Sequence, residues 1–392
     1  MCRSAMAETF IRPRTTGQMM RGIPTPARTR TPVSGIVVVV SLFVGACAGA
    51  TPGVSGESGG VVVSGELGRE LDSFLMQAAD SGFNGTVLVA TDGRIVLHKG
   101  YGWADQAHTE RVTTRTPFWI ASISKQFAAV ATLKLVEQGR LALDDPISRF
   151  FPSLAPEKQN ITIHQLLTHT AGLEQRYAAD GVTDRDQAVR AILDPPLVAA
   201  PGDAFGYSND AYTLVAIIVE IVAGQPYEAF VREQLLEPAG MLRTGFWGPQ
   251  IHPEVAAILG DRLPDTANTR PNWGFRGGTG MFSTPEDLHR WYEALRDGRV
   301  LSPPHVERLF SPHVRRGAIG VGYGWFVSTR LGNARSVWTR GYESFGHGVV
   351  LATYPETGTV LVVATNSGEG TSGAPVSHQL ADDLAQLILT PR

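Results

Sequence analysis

Two pairs of strand-like segments, one near each end of this 392-residue chain, constrain its fold more than any other feature. Near the start, residues 86–90 and 94–99 are short β-prone runs joined by Thr91-Asp92-Gly93, a sequence typical of a hairpin turn. Near the end, residues 348–354 and 359–365 form a second pair of the same kind. We therefore expect strands from both ends of the chain to share one antiparallel sheet.

Helical patterns surround these strands. Residues 67–79 and 376–389 have apolar side chains at helical spacing, which predicts one terminal helix beside each pair of strands. Between the pairs, from about residue 105 to residue 301, helix signals dominate and strand signals are few. The pattern predicts an α+β fold, in which an antiparallel sheet flanked by terminal helices is interrupted by a large inserted helical lobe.

Charge and composition exclude some classes of function. The formal net charge is -3, and hydrophobic residues make up 43% of the chain. The chain can bury a sizeable core, but it has no excess of basic residues to neutralise the phosphates of a nucleic acid, so we expect no nucleic-acid partner. The 10 histidines are scattered, without a pair at ligand spacing beside a carboxylate. We therefore expect neither a metal nor another cofactor.

The first 47 residues have the order of an export signal. Basic residues precede an apolar run at 36–43, and Val44-Gly45-Ala46 precedes Cys47. Small residues directly before a cysteine resemble the bacterial lipobox, so we expect a signal peptide over residues 1–47 and lipidation of Cys47. The protein would be exported and held by its lipid at the cell envelope, on the periplasmic or outer face. Plain secretion and a retained anchor are the alternatives, although the apolar run is shorter than the roughly 20 residues that cross a bilayer.

Residues 48–65 are Gly, Ser, Thr, Ala and Val with almost no charge, which predicts a flexible linker. The globular domain is then expected over residues 66–392. Both cysteines, Cys2 and Cys47, precede this domain. No disulfide can therefore cross-link it.

The first candidate for chemistry is Ser122, which opens the tetrapeptide Ser-Ile-Ser-Lys. The helix predicted from here to about residue 138 is apolar on nearly all faces, as a buried helix is. The i, i+3 spacing brings Lys125 onto the side of Ser122, whose hydroxyl lies at the positive end of the helix dipole. A serine needs a base to become a nucleophile, and a partly buried lysine in its neutral form can act as that base. Because Ser-x-x-Lys also occurs by chance, the tetrapeptide alone does not establish a site.

The second candidate is Tyr207-Ser208-Asn209, on a loop before the helix predicted over 212–223. Tyr207 could transfer a proton, and Asn209 could hold Lys125 and the amide of a substrate. The structural alternative is that Asn209 caps the helix while Tyr207 packs against it. Taken by itself, this segment favours the structural alternative.

Both motifs occur with flanking segments in a specific order. The segments are Ile120-Ala121-Ser122-Ile123-Ser124-Lys125, Leu166-Leu167-Thr168-His169-Thr170-Ala171-Gly172-Leu173, Pro201-Gly202 with Tyr207-Ser208-Asn209, and Gly277-Gly278 with Ser283-Thr284. Over roughly residues 85–366 the sequence resembles the serine β-lactamase-related family, which includes class C β-lactamases, D-alanyl-D-alanine carboxypeptidases, D-aminopeptidases and esterases. The resemblance implies a penicillin-binding-protein-like fold with a cleft between its two lobes. It also implies that Ser122 is acylated, with Lys125 and Tyr207 as acid and base groups.

One motif departs from that family. Its third motif is Lys or His, a small residue and Gly, on a strand that borders the cleft, and it falls here at Thr339-Arg340-Gly341. Thr339 thus replaces the cation expected to bind a substrate carboxylate, unless Arg340 turns inward to supply the charge. Gly341 suits a strand that a substrate approaches closely, and the Tyr342 N–H would complete an oxyanion hole with the Ser122 N–H.

Two histidines near these motifs have alternative interpretations. His347, six residues after Gly341, could be a displaced third-motif residue, but we favour a core or strand-edge role. His169 could form a triad with Ser122. The family resemblance instead implies a structural role, at a helix end packed beneath the cleft.

We therefore expect a serine hydrolase that acts through a covalent acyl-enzyme on small esters or amides, including D-amino-acid peptides and β-lactams. The expected substrate-binding residues are Asn209, Thr339, Arg340, Gly341 and Tyr342. The alternative class is a catalytically silent cell-envelope binding or sensing module on the same scaffold. The intact catalytic motifs argue against that module, and the altered third motif argues weakly for it. The sequence does not distinguish an esterase, a D-peptidase and a β-lactamase.

Overall fold

The computed structural model describes residues 60–247, 272–330, 334–343, 346–370 and 373–390. The predicted signal peptide, Cys47 and most of the predicted linker lie outside these residues. The strands are β1 (Val62–Val63), β2 (Gly85–Thr91), β3 (Arg94–Tyr101), β4 (Phe118–Trp119), β5 (Gly245–Phe246), β6 (Met281–Ser283), β7 (Val314–Arg316), β8 (Ile319–Val321), β9 (Phe326–Arg330), β10 (Ala334–Tyr342), β11 (Gly348–Tyr354) and β12 (Thr359–Thr365).

Nine of these described strands form one sheet, in the order β1-β3-β2-β12-β11-β10-β9-β8-β7. All of its neighbouring strands are antiparallel. Strands β2 and β12 pair within it, so the hairpins from the two ends of the chain meet there. This pairing confirms the predicted sheet. A smaller sheet has the order β4-β6-β5.

The helices divide between the two faces of the large sheet. Their bounds are α1 (Gly65–Asp80), α2 (Ser124–Glu137), α3 (Ile163–Leu167), α4 (Arg185–Leu193), α5 (Asn209–Ala223), α6 (Tyr227–Val231), α7 (Glu237–Ala239), α8 (Pro285–Arg296), α9 (Pro303–Phe310) and α10 (Val376–Leu389). Helices α1 and α10 cover one face, and the inserted helical lobe covers the other. The predicted α+β architecture is therefore confirmed.

Strand alternation decides which side chains face each layer. In β2, Val87 and Val89 pack with α1 and α10, whereas Leu88 and Ala90 pack with the inserted lobe. These side chains are at most 1% exposed. A strand buried on both faces is apolar at successive positions, which explains the continuous run of hydrophobic residues in its sequence.

Two parts of the fold differ from the sequence prediction. The linker was predicted to end at residue 65, but Val62–Val63 pairs with β3 at the edge of the sheet, and α1 begins at Gly65. Strands β7, β8 and β9, over residues 314–330, also extend the sheet where no strand was predicted. These strands are short, and their hydrogen-bond partners are brought by other segments, so the local pattern does not reveal them.

Among the described residues, no single helix is long and apolar enough to cross a membrane. Helix α5 and the helical segment over 227–239 pass that test only as a pair bent by 81°. Most of α5 is buried in the protein core.

Candidate active site

Ser122 lies in the 3₁₀ turn Ala121–Ile123, directly before α2. Ala121 has a φ of 45°, in the left-handed region that non-glycine residues rarely adopt. This turn places Ser122 at the start of the helix, where its side chain remains partly exposed while Ile123 is fully buried. The next turn of α2 brings Lys125 beside it, as the i, i+3 spacing predicted.

Lys125 is the most highly connected polar side chain of the site. Its Nζ donates to Ser122 Oγ at 3.2 Å, to Asn209 Oδ1 at 2.7 Å and to the carbonyl oxygen of Gly278 at 3.0 Å. The residue is only 3% exposed. Three acceptors match the three donors of an ammonium group, so the Lys125 side chain is held in one orientation against the nucleophile.

Tyr207 approaches Ser122 from another direction. Its hydroxyl donates to Ser122 Oγ at 2.8 Å. Ser208 is the N-cap of α5, because its hydroxyl accepts the N–H of Ala211 at 3.1 Å. The capping role considered for Asn209 therefore belongs to Ser208, and the Asn209 side chain is directed at Lys125.

His169 holds the segment that carries Tyr207. Its carbonyl oxygen accepts the N–H of Gly206 at 2.8 Å, and its Nδ1 accepts the N–H of Ser208 at 3.1 Å. Its ring stacks on Tyr207 with centroids 4.4 Å apart. Burial, and then the nearby charge of Lys125, lower the pKa of His169 to about 3, so its imidazole is neutral at physiological pH. His169 thus orients Tyr207 instead of forming a triad with Ser122.

The predicted third motif lies on β10, next to the catalytic groups. Thr339 is 3% exposed and lines the same cavity as Ser122. Arg340 also borders this cavity, but its guanidinium forms an ion pair with Asp382 of α10 and packs over Trp338. Successive side chains of a strand point to opposite faces, so the guanidinium is directed away from the face used by Thr339. The hypothesis that Arg340 supplies the missing cation is therefore wrong for this conformation.

Gly341 is required by the backbone of the protein itself. A Cβ atom there would lie 2.1 Å from the carbonyl oxygen of Ile120, which belongs to the segment that leads into Ser122. The sequence had suggested that the glycine makes room for substrate. The structure gives a more specific reason, because any side chain would separate β10 from the nucleophile.

The backbone of β10 also directs the Tyr342 N–H. The N–H of Glu343 donates to the carbonyl oxygen of His347, on the side of β11, at 3.0 Å. Backbone N–H groups alternate between the two edges of a strand, so the Tyr342 N–H points to the other edge. Strand β9 pairs with that edge as far as Trp338. Tyr342 thus has the direction expected of an oxyanion-hole donor, and its role remains a prediction.

A cavity of about 140 Å³ contains these groups. The full set of residues around the cavity is Ser122, Lys125, His169, Tyr207, Val321, Gly322, Gly324, Trp325, Phe326, Thr339 and Arg340. Trp325 is 1% exposed, and the ring of Phe326 stacks on Trp338 with centroids 5.0 Å apart. Sequence reasoning missed the lining residues between 321 and 326, because they lie on or beside short strands that had no recognisable pattern.

His347 does not contribute to the cavity. It is 2% exposed, its Nδ1 accepts the N–H of Trp119 at 3.2 Å, and its ring contacts Phe118 edge-on. This is the core role that the sequence favoured. Sequence reasoning also missed the carbonyl of Gly278 as a partner of Lys125, although its glycine pair was among the recognised segments.

The fold and the site together define the class of protein to which this chain belongs. A two-lobed α+β protein with a serine, a lysine and a tyrosine converging between the lobes has the penicillin-binding-protein-like fold. The chain belongs to the Beta-lactamase family, whose model matches residues 74–386.

Comparisons with individual proteins agree with this assignment. The chain is 30% identical to PbpX of Bacillus subtilis strain 168 over 235 residues, which cover 59% of each protein. It is 30% identical to esterase EstB of Burkholderia gladioli over 281 residues, covering 60% of this chain and 70% of EstB. The structure of D-amino acid amidase from Ochrobactrum anthropi SV3 matches with a TM-score of 0.68 and 25% identity, covering 83% of this chain and 99% of the amidase.

Proposed function

We propose that this protein hydrolyses small, uncharged esters and amides through a covalent acyl-enzyme on Ser122. The observation that carries the proposal is the position of Ser122 Oγ, which is within hydrogen-bond distance of both Lys125 Nζ and the Tyr207 hydroxyl. A nucleophile next to two groups that can exchange its proton is the arrangement that acyl transfer requires. EstB and the amidase, named for ester and amide chemistry, support the same reaction type.

The reaction has two halves. Ser122 Oγ attacks the carbonyl carbon of the substrate and gives its proton to the Lys125–Tyr207 pair, while the oxyanion accepts hydrogen bonds from the N–H groups of Ser122 and Tyr342. The bond to the leaving group then breaks, and the departing alcohol or amine takes that proton. Water attacks the acyl-enzyme, releases the carboxylic acid and restores the Ser122 hydroxyl.

The cavity favours a small acyl group. Its volume is about 140 Å³. Substrates with short acyl chains are therefore expected to fit it best.

The charges around the cavity disfavour a substrate carboxylate. Of the cationic residues that line it, Lys125 donates to three protein acceptors and Arg340 is paired with Asp382. A carboxylate would lose water without gaining a dedicated cation, and a missing charge-assisted hydrogen bond costs about 1.5 to 3 kcal/mol. That free energy corresponds to a loss of about 10- to 150-fold in affinity for the carboxylate.

Introducing a lysine at Thr339 tests this explanation of specificity. We expect the wild type to have a higher kcat/KM for a neutral short-chain ester than for a penicillin with a free carboxylate. Thr339→Lys should raise kcat/KM for the penicillin by about 10- to 150-fold relative to Thr339→Met, which has similar length without the charge. Efficient penicillin hydrolysis by the wild type, with no gain from the lysine, would show that this position does not set specificity.

A silent binding module is the second candidate, and the retained contacts among Ser122, Lys125 and Tyr207 argue against it. A protein selected only for binding has no need to keep two proton-transfer groups on one serine. Turnover of any neutral ester that depends on Ser122 excludes the silent module.

We also propose that the protein is exported and lipid-anchored at Cys47 in the bacterial cell envelope. The proposal depends on the order of basic residues, apolar run and small residues before Cys47. A lipid chain contributes about 0.8 kcal/mol of membrane affinity per buried CH₂ group, so lipidation at Cys47 would hold an otherwise compact domain at a membrane.

Fractionation of cells that express the full chain tests this anchor. Wild-type protein should be found with membranes, whereas Cys47→Ser should be released or accumulate with its signal uncleaved. Cys2→Ser is the matched control, because Cys2 lies before the apolar run. This variant should fractionate as the wild type does. The same distribution for wild type and Cys47→Ser would contradict the proposed anchor.

A further inference from the structure

A cluster of two histidines and a tyrosine lies beside the cavity lining and has no role in the proposed reaction. The hydroxyl group of Tyr323 is 2.8 Å from Nδ1 of His164, which belongs to α3. The ring of His313 stacks on the Tyr323 ring, with centroids 4.1 Å apart. The two histidine rings also contact each other edge-on, with centroids 5.5 Å apart. Tyr323 is 2% exposed, so the histidines hold its side chain in a buried position.

The three side chains are uncharged at physiological pH. Burial lowers the pKa of His164 and of His313 below their ordinary value of 6.5, and it raises the pKa of Tyr323 to about 12. Nε2 of His313 donates to the carbonyl oxygen of Arg308 at 2.8 Å, since a carbonyl can only accept. The guanidinium of Arg308, on α9, is the charged group that acts on both His313 and Tyr323. The cluster therefore disfavours a further positive charge.

The backbone of Tyr323 is fixed between two helices. Its N–H donates to the carbonyl oxygen of Leu309, in α9, at 3.1 Å. The neighbouring Gly324 packs against the start of α2, where an added Cβ atom would lie 2.9 Å from the carbonyl oxygen of Lys125. The segment around Tyr323 is therefore packed tightly on the side of the catalytic lysine.

The neighbours of Tyr323 line the catalytic cavity. Gly322 and Gly324, on either side of it in the chain, both border the cavity. Val321 borders it as well, and its carbonyl oxygen accepts the N–H of His313 at 2.8 Å. A shift of Tyr323 would therefore change the shape of the cavity, because single peptide bonds join it to residues of the lining.

We propose that Tyr323, held by the two histidines, is a positioning residue that fixes residues 321–324 where they bind the acyl group of the substrate. This inference rests on the proposed hydrolase function. Tyr323 is not among the residues that border the cavity, so it acts through its neighbours. Lys125 Nζ is held by its own three acceptors, so the acid and base groups should stay in place when Tyr323 is loosened. Substrate binding should then weaken while the chemical step is nearly unchanged.

Tyr323→Phe tests the proposal, because it removes the hydroxyl contact with His164 and keeps the ring that stacks on His313. It should raise the Kd for a neutral short-chain ester by about 2- to 10-fold, the effect of one lost hydrogen bond, and leave the limiting acylation rate within about twofold. Stopped-flow measurement of acylation against ester concentration gives both quantities. His164→Leu should have the same effect, whereas His164→Asn, whose amide reaches the tyrosine hydroxyl, should restore binding.

Tyr101→Phe is the matched control. Tyr101 is 4% exposed and its hydroxyl donates to Asp72 Oδ1 at 2.8 Å, but it packs on the face of the sheet that α1 and α10 cover. This variant also loses a buried hydrogen bond and should bind the ester as the wild type does. An equal rise in its Kd would show that lost stability alone weakens binding, which overturns the proposal.

The dependence on pH is a second readout. Because the pKa values of His164 and His313 are lowered, the neutral cluster is fully formed above about pH 6.5 and is lost as pH falls through the lowered values. The Kd of the wild type should rise over this range. It should rise less in His164→Asn, which keeps a hydrogen bond without a titrating ring. An equal rise in both proteins contradicts the proposal.

The proposal is also wrong if Tyr323→Phe binds the ester like the wild type, or if it slows acylation without changing the Kd. Those outcomes leave the hydrolase function intact, since acylation of the wild type is measured in the same experiments. Failure of the wild type to form an acyl-enzyme with any neutral ester overturns the hydrolase function itself.

Discussion

Ser122→Ala is expected to abolish covalent labelling and to lower turnover by about 10⁶-fold, as removal of the nucleophile does in other serine hydrolases. Alanine removes the oxygen that both Lys125 and Tyr207 contact. The measurement is kcat for a neutral short-chain ester, together with labelling by a fluorophosphonate.

Ser124→Ala is the matched control for this experiment. Ser124 belongs to the same tetrapeptide, but it is 1% exposed and its hydroxyl accepts the N–H of Met281 at 3.2 Å. Its loss removes one buried hydrogen bond and should reduce stability by at most about 1 kcal/mol, since the Met281 N–H also donates to the carbonyl oxygen of Thr279, while labelling should persist. Labelling or full turnover in the Ser122 variant would show that another residue is the nucleophile.

Tyr207→Phe is expected to lower kcat by about 10² to 10⁴-fold, the usual effect of removing a positioned acid or base group. The substitution removes only the hydroxyl that lies 2.8 Å from Ser122 Oγ. The ring can still stack on His169, so the loop should keep its conformation. Stopped-flow measurement of acylation separates this effect from a change in hydrolysis of the acyl-enzyme.

A neighbouring tyrosine provides the comparison. The Tyr212 hydroxyl is buried like the rest of its ring, but it donates to the carbonyl oxygen of Leu167 at 2.8 Å and not to the nucleophile. Tyr212→Phe should therefore acylate at the wild-type rate. Normal acylation by Tyr207→Phe as well would assign the proton transfer to Lys125 without the tyrosine.

The sequence predicted the sheet centre well because its strands carry their own signals. Residues 348–354 and 359–365 were predicted as strands with the bounds that β11 and β12 have in the structure. Both are continuous hydrophobic runs bounded by turn residues. The run at 314–316, by contrast, is Val-Arg-Arg, and it becomes a strand only because β8 pairs with it. Local propensity contains no information about such a partner.

The same distinction applies to the site. The contact between Ser122 and Lys125 follows from helical spacing, so four residues of sequence suffice to predict it. The contacts of Lys125 with Asn209 and Gly278 join residues that are 84 and 153 positions away along the chain, and only the fold defines them.

The acid and base groups belong to one part of the fold, and the residues proposed to recognise the substrate belong to another. Ser122, Lys125 and Tyr207 are held by helices and by His169, whereas Thr339, Gly341 and Tyr342, which are predicted to bind the substrate, lie on the single strand β10. Substitutions in that strand can change the substrate without altering the chemistry, provided that Gly341 is kept. The substrate specificity of related sequences can thus change while the catalytic mechanism stays the same. Laboratory evolution for new substrates should begin with the codons of strand β10.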